Sequence, residues 1–503
     1  MSERLVLALD QGTTSSRAIL FGADARPVGS DQREIAQSYP VPGHVEHDPE
    51  EIWESQLATA RGALARAGRA AADVAAIGIT NQRETTIVWD RETGAPVAPA
   101  IVWQSRVTAP ACAALRAAGH EERFRSVTGL PLDAYFAGPK IAHILDGTPG
   151  LRRRAEAGEL AAGTVDTWLL WRLTGGHVHA TDVSNAARTL LMDLRTLGWD
   201  AALCELVGVP PVVLPEIRSS SEVFGVTDGA LLGAEIPIAG IAGDQQAATF
   251  GQACHTPGMA KATLGTGAFL LRNTGERIIP SAHGSLTTVL WQLGPGAEPA
   301  YALEGAVFIA GAVVQWLRDG LRAIGSSRDV EALAAEGPPE EGLYLVPAFT
   351  GLGGPHWDPD ARGLLIGITR GTGLPQIARA AVASIALQVR DVLEAMAGDA
   401  GAPLGALRVD GGAAANDALL QLHADLLGVP VERPTVTETT ALGAAFLAGL
   451  ATGVWGSPAE IAATWRLDRR FLPTMAEDER RRLVAGWHAA VRRSLGWERD
   501  RRA

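Results

Sequence analysis

Twice along 503 residues the chain runs an apolar strand into a turn of Gly, Thr and Ser and straight back into a second apolar strand. The first copy, LVLALDQGTTSSRAILFG, occupies residues 5–22; the second, AKATLGTGAFLLRN, occupies residues 260–273. One copy per half implies a duplicated architecture. A chain this long also exceeds a single core at roughly 150 residues per domain, so at least two domains with a cleft between them are expected. The pattern breaks at TFGQACHTPG, where Gly251, Pro257 and Gly258 interrupt it, which divides the chain into 1–250 and 251–503.

Strand-like runs such as AAIGIT (75–80) and TTIVWD (85–90) alternate with amphipathic helices, the mark of the α/β class. The helix that begins near residue 48 is well signalled: Asp48 can cap it, Pro49 suits its first position and Glu51 would complete a capping box. Ile52, Trp53, Leu57, Ala60 and Leu64 then share one apolar face. The segment EALAAEGPPEEG (331–342) reads as a surface connection. The uncharged stretch TTALGAAFLAGLATGVWG (439–456) approaches the length of a membrane span, but its Ala, Gly and Thr content suits a tightly packed core helix, so no membrane insertion is expected.

Composition narrows the function. A net charge of −12 with scattered arginines lacks the concentrated basic face of a nucleic-acid binder. Cys112, Cys204 and Cys254 are odd in number and without metal-ligand spacing, which fits buried thiols in a reducing compartment. The apolar run from Leu5 to Leu9 is too short for the core of a signal peptide, and a cytoplasmic location is expected.

Two Gly/Thr turns at strand ends, one per half, suggest two phosphate grips facing each other, since glycine admits an oxyanion to the backbone and the N–H and hydroxyl groups donate to it. Either turn alone would be weak evidence, since hairpins often use Gly and Thr simply to reverse direction. A Walker loop is excluded: the only lysines are Lys140 and Lys261, and neither follows a glycine. No GxGxxG opens a helix after the first strand, so a dinucleotide fold is not expected. In RVDGGAAANDALLQLHADLLG (408–428), Gly411 and Gly412 could let a flat ring or ribose lie on the backbone with Asn416 beside it, or could simply pack a helix start onto a sheet. Asp244 ends the apolar run IPIAGIAG, where a strand would open into the cleft; it could take a proton from a hydroxyl, cap a helix, or do both. Arg83, Glu84 and Trp103 offer donors, acceptors and an apolar wall to a small polyol, although a surface Arg/Glu pair would read the same way.

The segments LALDQGTTSSRA, GITNQRETTIVWD, AIVWQSR, GTVDTWLLW, GIAGDQQAA, LGTGAF, LEGAVFIAGAVVQWLRD, FTGLGGPHWDP and RVDGGAAAN, collinear over nearly the whole chain, resemble the FGGY carbohydrate kinases, and among them the branch that acts on glycerol. The resemblance implies two duplicated actin-like, ribonuclease-H-type domains closing on ATP, Mg²⁺ and glycerol across an inter-domain catalytic cleft. It also implies transfer of the γ-phosphoryl group to give sn-glycerol 3-phosphate. By the family's pattern Arg83, Glu84, Tyr135 and Asp244 would hold glycerol, with Gln245 assisting and Trp103 and Phe269 as the apolar side; Asp244 would be the general base. Asp10 would help position Mg²⁺, and Thr13, Thr14, Ser15 and Arg17 would surround the phosphates from the first domain. From the second, Thr266 with Gly265 would meet the γ-phosphate, and Gly311, Gln315, Gly411, Gly412 and Asn416 would receive the rest of the nucleotide. The resemblance further implies a homodimer or homotetramer. A kinase for another small polyol or ketose is the rival reading within the family, and an actin-like ATPase switch the rival outside it.

Overall fold

The computed structural model describes residues 4–336 and 341–502. Six strands form the first sheet: β1 (Leu5–Gln11), β2 (Ser15–Phe21), β3 (Pro27–Glu34), β4 (Val74–Asn81), β5 (Ser221–Val226) and β6 (Pro237–Gly243), in the order β5-β6-β4-β1-β2-β3. Seven form the second: β7 (Ala260–Leu264), β8 (Ala268–Gly275), β9 (Leu286–Gln292), β10 (Pro299–Val307), β11 (Leu407–Asp410), β12 (Val431–Pro434) and β13 (Leu467–Phe471), in the order β9-β10-β8-β7-β11-β12-β13. In the first sheet β3, β2 and β1 are antiparallel, β4 and β6 continue parallel to β1, and β5 turns antiparallel. In the second, β10, β8 and β7, then β11 and β12, then β13 repeat that sequence of directions, with β9 added at the edge. The duplicated α/β architecture expected from the paired hairpins is therefore the one the chain adopts.

Register explains why functional side chains gather. Gln11 pairs with Asn81 and Asn81 with Gly243, so β1, β4 and β6 end at one level. The residues that follow them leave the sheet together at its carboxyl edge, the edge at which parallel α/β sheets receive ligands. Thr263 of β7 likewise pairs with Asp410 of β11, which brings the second Gly/Thr turn beside Gly411.

Helices cover both sheets. The first, α1 (Pro49–Ala67), starts as expected: Asp48 accepts from the Glu50 N–H at 2.9 Å, Pro49 opens the helix, and Ile52, Trp53, Ala60 and Leu64 are buried. The capping box does not form. Glu51 instead accepts from the Ala36 N–H at 3.1 Å, a tertiary bond that tethers the chain after β3 and that no local pattern discloses. Further on come α2 (Ala137–Gly147), α3 (Asp244–Gly251), α4 (Gly311–Asp319), α5 (Leu374–Ala400), α6 (Asp417–Leu427), α7 (Thr439–Ala451) and α8 (Glu477–Ser494).

The stretch read as a packed core helix is α7, and it lies against β1, β4, β6 and α3 of the first half. Glycines permit the approach: a methyl group at Gly78 or Gly240 would meet the α7 backbone at 2.1 or 2.4 Å. A methyl at Gly443, on α7 itself, would lie 1.8 Å from the Ala247 carbonyl. The apolar cluster there joins Val6, Ala8, Ile19 and Phe21 to Ala445, Phe446 and Leu447. Among the described residues no helix is long and apolar enough to cross a membrane. The three cysteines are free and buried, and burial pushes their thiols up to about 11, 11 and 12 for Cys112, Cys204 and Cys254. A short helix, Val330–Ala335, runs into the segment 331–342 read as a surface connection, and 337–340 lie outside the described residues.

Candidate active site

At the carboxyl edge of the first sheet a small pocket of about 100 Å³ is lined by Thr13, Arg83, Glu84, Trp103, Tyr135, Asp244, Gln245 and Phe269. Seven of these eight are the side chains that the sequence resemblance assigned to one acceptor site, and they come from four separate places in the first half and from β8 in the second. The aromatic wall is edge to face: the Trp103 ring centroid lies 5.7 Å from that of Tyr135 and 6.1 Å from that of Phe269. Trp103 also donates its indole N–H to the Thr13 hydroxyl at 2.9 Å, which ties the wall to the first Gly/Thr turn.

Asp244 is the first residue of α3, directly after β6, so the helix N-terminus supports its negative charge. Its Oδ1 accepts from the Gln245 N–H at 2.7 Å and faces the Arg83 Nε at 3.2 Å, and the side chain keeps 32 % exposure. Among the described residues Oδ2 takes no protein donor, so one carboxylate oxygen is anchored and the other is open to the cleft.

Beneath the pocket lies a buried ionic network that motif reading did not find. Arg83 is held bidentately by Glu304, at 2.7 and 2.8 Å, although Arg83 follows β4 and Glu304 sits on β10 of the other sheet. Arg188 joins the same group, with its Nε 2.6 Å from the Glu84 carboxylate and its Nη2 3.3 Å from Glu304, and stacks over Tyr135 and Phe136. Burial opposes ionisation of Glu304, yet Arg188 and Arg83 bring its carboxyl down to about 2. Glu84, with a single close guanidinium bond, is instead pushed up by burial. One signal was available for Glu304: it is the lone acid within the apolar strand PAYALEGAV.

The first turn is a tight hairpin in which the Gly12 N–H donates to the Ser15 carbonyl at 2.9 Å. Asp10, opposite Arg17 across it, is pushed up to about 7 by burial first and then by Asp244, with Arg17 working against them and Glu438 adding to them. The charge of Asp244 thus reaches Asp10, and one or two protein carboxylates together with substrate phosphates are the donor set that suits Mg²⁺. Arg17 pairs with Glu438, Ser15 accepts from Gln32, and the Thr14 side chain is exposed.

The second turn, Gly265–Gly267, is bound to the start of α4: the Gly311 N–H donates to the Gly265 carbonyl at 2.9 Å, and the Ala310 and Ala312 N–H groups donate to Thr266. A methyl at Gly311 would lie 2.6 Å from that Gly265 carbonyl, and one at Gly411, which has φ +86°, would lie 2.6 Å from the Leu264 carbonyl. Gly265, Thr266, Gly311 and Gly411 thus converge. Gly412 and Gln315 are solvent exposed nearby, and the Asn416 Oδ1 caps α6 by accepting from the Leu419 N–H at 2.8 Å.

With this geometry in place, known proteins supply the family. The model for the N-terminal domain of the FGGY family of carbohydrate kinases matches residues 5–251, and that for its C-terminal domain matches 260–452. The chain belongs to the FGGY family of carbohydrate kinases. Among its FGGY relatives, a glycerol kinase of Symbiobacterium thermophilum is 59 % identical over 497 residues, 99 % of each chain. The crystal structure of Plasmodium falciparum glycerol kinase with ADP superposes with a TM-score of 0.91 at 34 % identity, covering 98 % of both chains. A ligand-bound xylulose kinase from Lactobacillus acidophilus, at TM-score 0.84 and 22 % identity over 99 % of this chain and 98 % of that one, shares the fold. The actin-like, two-part FGGY fold is thereby established for this chain.

Proposed function

We propose that the protein phosphorylates glycerol at the expense of ATP, giving sn-glycerol 3-phosphate and ADP. The observation that carries this reading is the pocket itself, small, walled by Trp103, Tyr135 and Phe269 on one side and set with Arg83, Glu84, Asp244 and Gln245 on the other. Its volume of about 100 Å³ suits a triol and is well below that of pockets for drug-sized ligands.

In the reaction an acceptor hydroxyl loses its proton to Asp244 Oδ2 as its oxygen bonds to the γ-phosphorus and the bond from phosphorus to the ADP oxygen breaks. Arg83 and the helix start hold Asp244 in place, so little reorganisation is needed. Thr266, with the Gly265 backbone, receives the moving phosphoryl group from the other side, and Thr13, Thr14, Ser15 and Arg17 meet the phosphates from the first half. Gly311, Gln315, Gly411, Gly412 and Asn416 take the remainder of the nucleotide. Asp10 would hold Mg²⁺, which when bound offsets the charge of the transferring phosphates. The acceptor site then belongs mainly to 1–250, with Phe269 closing one wall from 251–503, and most nucleotide contacts belong to 251–503, with closure aligning the two and excluding water.

ADP release from Mg²⁺-ATP, measured without acceptor, with glycerol and with a panel of polyols and ketoses, tests the reading. Turnover should depend on glycerol and yield sn-glycerol 3-phosphate. Preference for a ketose would keep the fold and replace the substrate, and acceptor-independent turnover would point to a nucleotide switch.

A further inference from the structure

Of the 44 basic residues in the chain only two are lysines, Lys140 and Lys261. Both are fully buried, and neither forms an ion pair among the described residues. Both touch residues of the acceptor pocket. Lys140, on α2, donates to the Tyr135 carbonyl at 2.6 Å and to the Glu84 carbonyl at 3.1 Å. Lys261, on β7, donates to the Gln245 side-chain oxygen and to the Thr263 hydroxyl, at 2.5 and 2.9 Å.

A buried ammonium without a carboxylate is costly, and burial accordingly pulls Lys140 down to about 7 and Lys261 to about 8. A chain that uses arginine for every other basic side chain has kept lysine where two acceptors converge on one point, a geometry that suits a compact ammonium and not a planar five-donor fork. The consequences at each place are specific. Glu84 has φ +60°, a left-handed backbone that a non-glycine residue holds only when its surroundings impose it, and the Lys140 bond falls on its own carbonyl. At Gln245 an ammonium can only donate, so the amide oxygen must face Lys261 and the amide N–H₂, which has no protein partner among the described residues, is left for the pocket.

We infer that Lys140 and Lys261 are positioning residues of the acceptor site, Lys140 fixing the backbone from which Glu84 and Tyr135 project and Lys261 fixing the Gln245 amide as a donor to an acceptor hydroxyl. This rests on the kinase reading above. The test is steady-state ADP release by the full-length protein and its Lys140→Met, Lys140→Gln, Lys261→Met, Gln245→Ala and Lys261→Met/Gln245→Ala variants, with folding followed by circular dichroism. The glycerol KM should rise about tenfold or more, the scale of one lost bond from a charged donor, while the ATP KM stays within about twofold. Because Lys261 acts through Gln245, the double variant should be no worse than the poorer single one. Folded variants whose glycerol KM stays within about twofold, ATP KM values that rise in parallel, or additive losses at 261 and 245 would overturn the inference, as would a failure of every lysine variant to fold, which would assign the lysines to the fold alone. If the unaltered protein releases no ADP with glycerol, it is the kinase reading that fails, and this inference falls with it.

Discussion

Asp244 has one oxygen bound by the Gln245 N–H and facing Arg83 and the other without a protein donor among the described residues, so its charge, more than its shape, is what the proposed proton transfer requires. Asp244→Asn should lower kcat by a factor of about 10²–10⁴ or more while nucleotide affinity, measured by calorimetry, is retained. Thr266→Ala should reduce kcat more than it raises the glycerol KM, since its contact with the phosphoryl group is expected to strengthen as transfer proceeds. At this scale the pocket was legible. Seven of its lining residues could be named from the family resemblance, and all but Tyr135, which lies in a turn ahead of α2, follow or lie on a strand. Glu304 and Arg188 could not be placed, because what makes them matter is a contact across 221 residues from Arg83 to Glu304 and one across 104 from Arg188 to Glu84. No local pattern encodes such pairings.

At the scale of elements, the seam between α7 and the first sheet is made of backbone approaching backbone. Gly443→Ala would push a methyl into the Ala247 carbonyl and should destabilise the protein by about 2 kcal/mol or more in denaturant unfolding. Gly405→Ala, where the added methyl meets nothing within 4 Å, should be neutral or slightly stabilising. A second element depends on pH. The carboxylate of Asp391 on α5 takes the Trp487 indole N–H at 2.6 Å and the His488 ring at 2.9 Å, both from α8. That bond raises His488, while bonds from His356, His488 and Trp487 lower Asp391 despite its burial. A raised histidine stabilises fully below its ordinary pKa and loses the effect as pH climbs through its folded value; a lowered aspartate stabilises above its ordinary pKa and loses the effect on acidification. His488→Ala should therefore lower the melting temperature more at pH 6 than at pH 9. Element types were readable from periodicity and caps, whereas the capping box at Glu51 was misread because Ala36, distant in sequence, competes for that carboxylate.

For the whole molecule, the two halves are joined by charge as well as by apolar packing. Glu304 of the second sheet is the counter-ion of Arg83 and Arg188 from the first half, and Arg17 reaches across to Glu438. Removing the Glu304 carboxylate leaves two guanidinium groups buried without it, so Glu304→Ala should cost about 3–5 kcal/mol and should loosen both halves together in calorimetry. The duplication was visible in the sequence because each half carries its own hairpin. What no inspection of the halves could disclose is that α7, from the second, completes the first. That helix has a consequence for synthesis. The strand ending at Gly243 leaves the ribosome long before Thr439 is made, a wait of roughly ten seconds or more at about 5–20 residues per second. Through that interval the glycine-lined face of the first sheet has no cover, so the nascent chain must be held in a soluble form until nearly all of it has been translated, and the kinase can mature only as a whole.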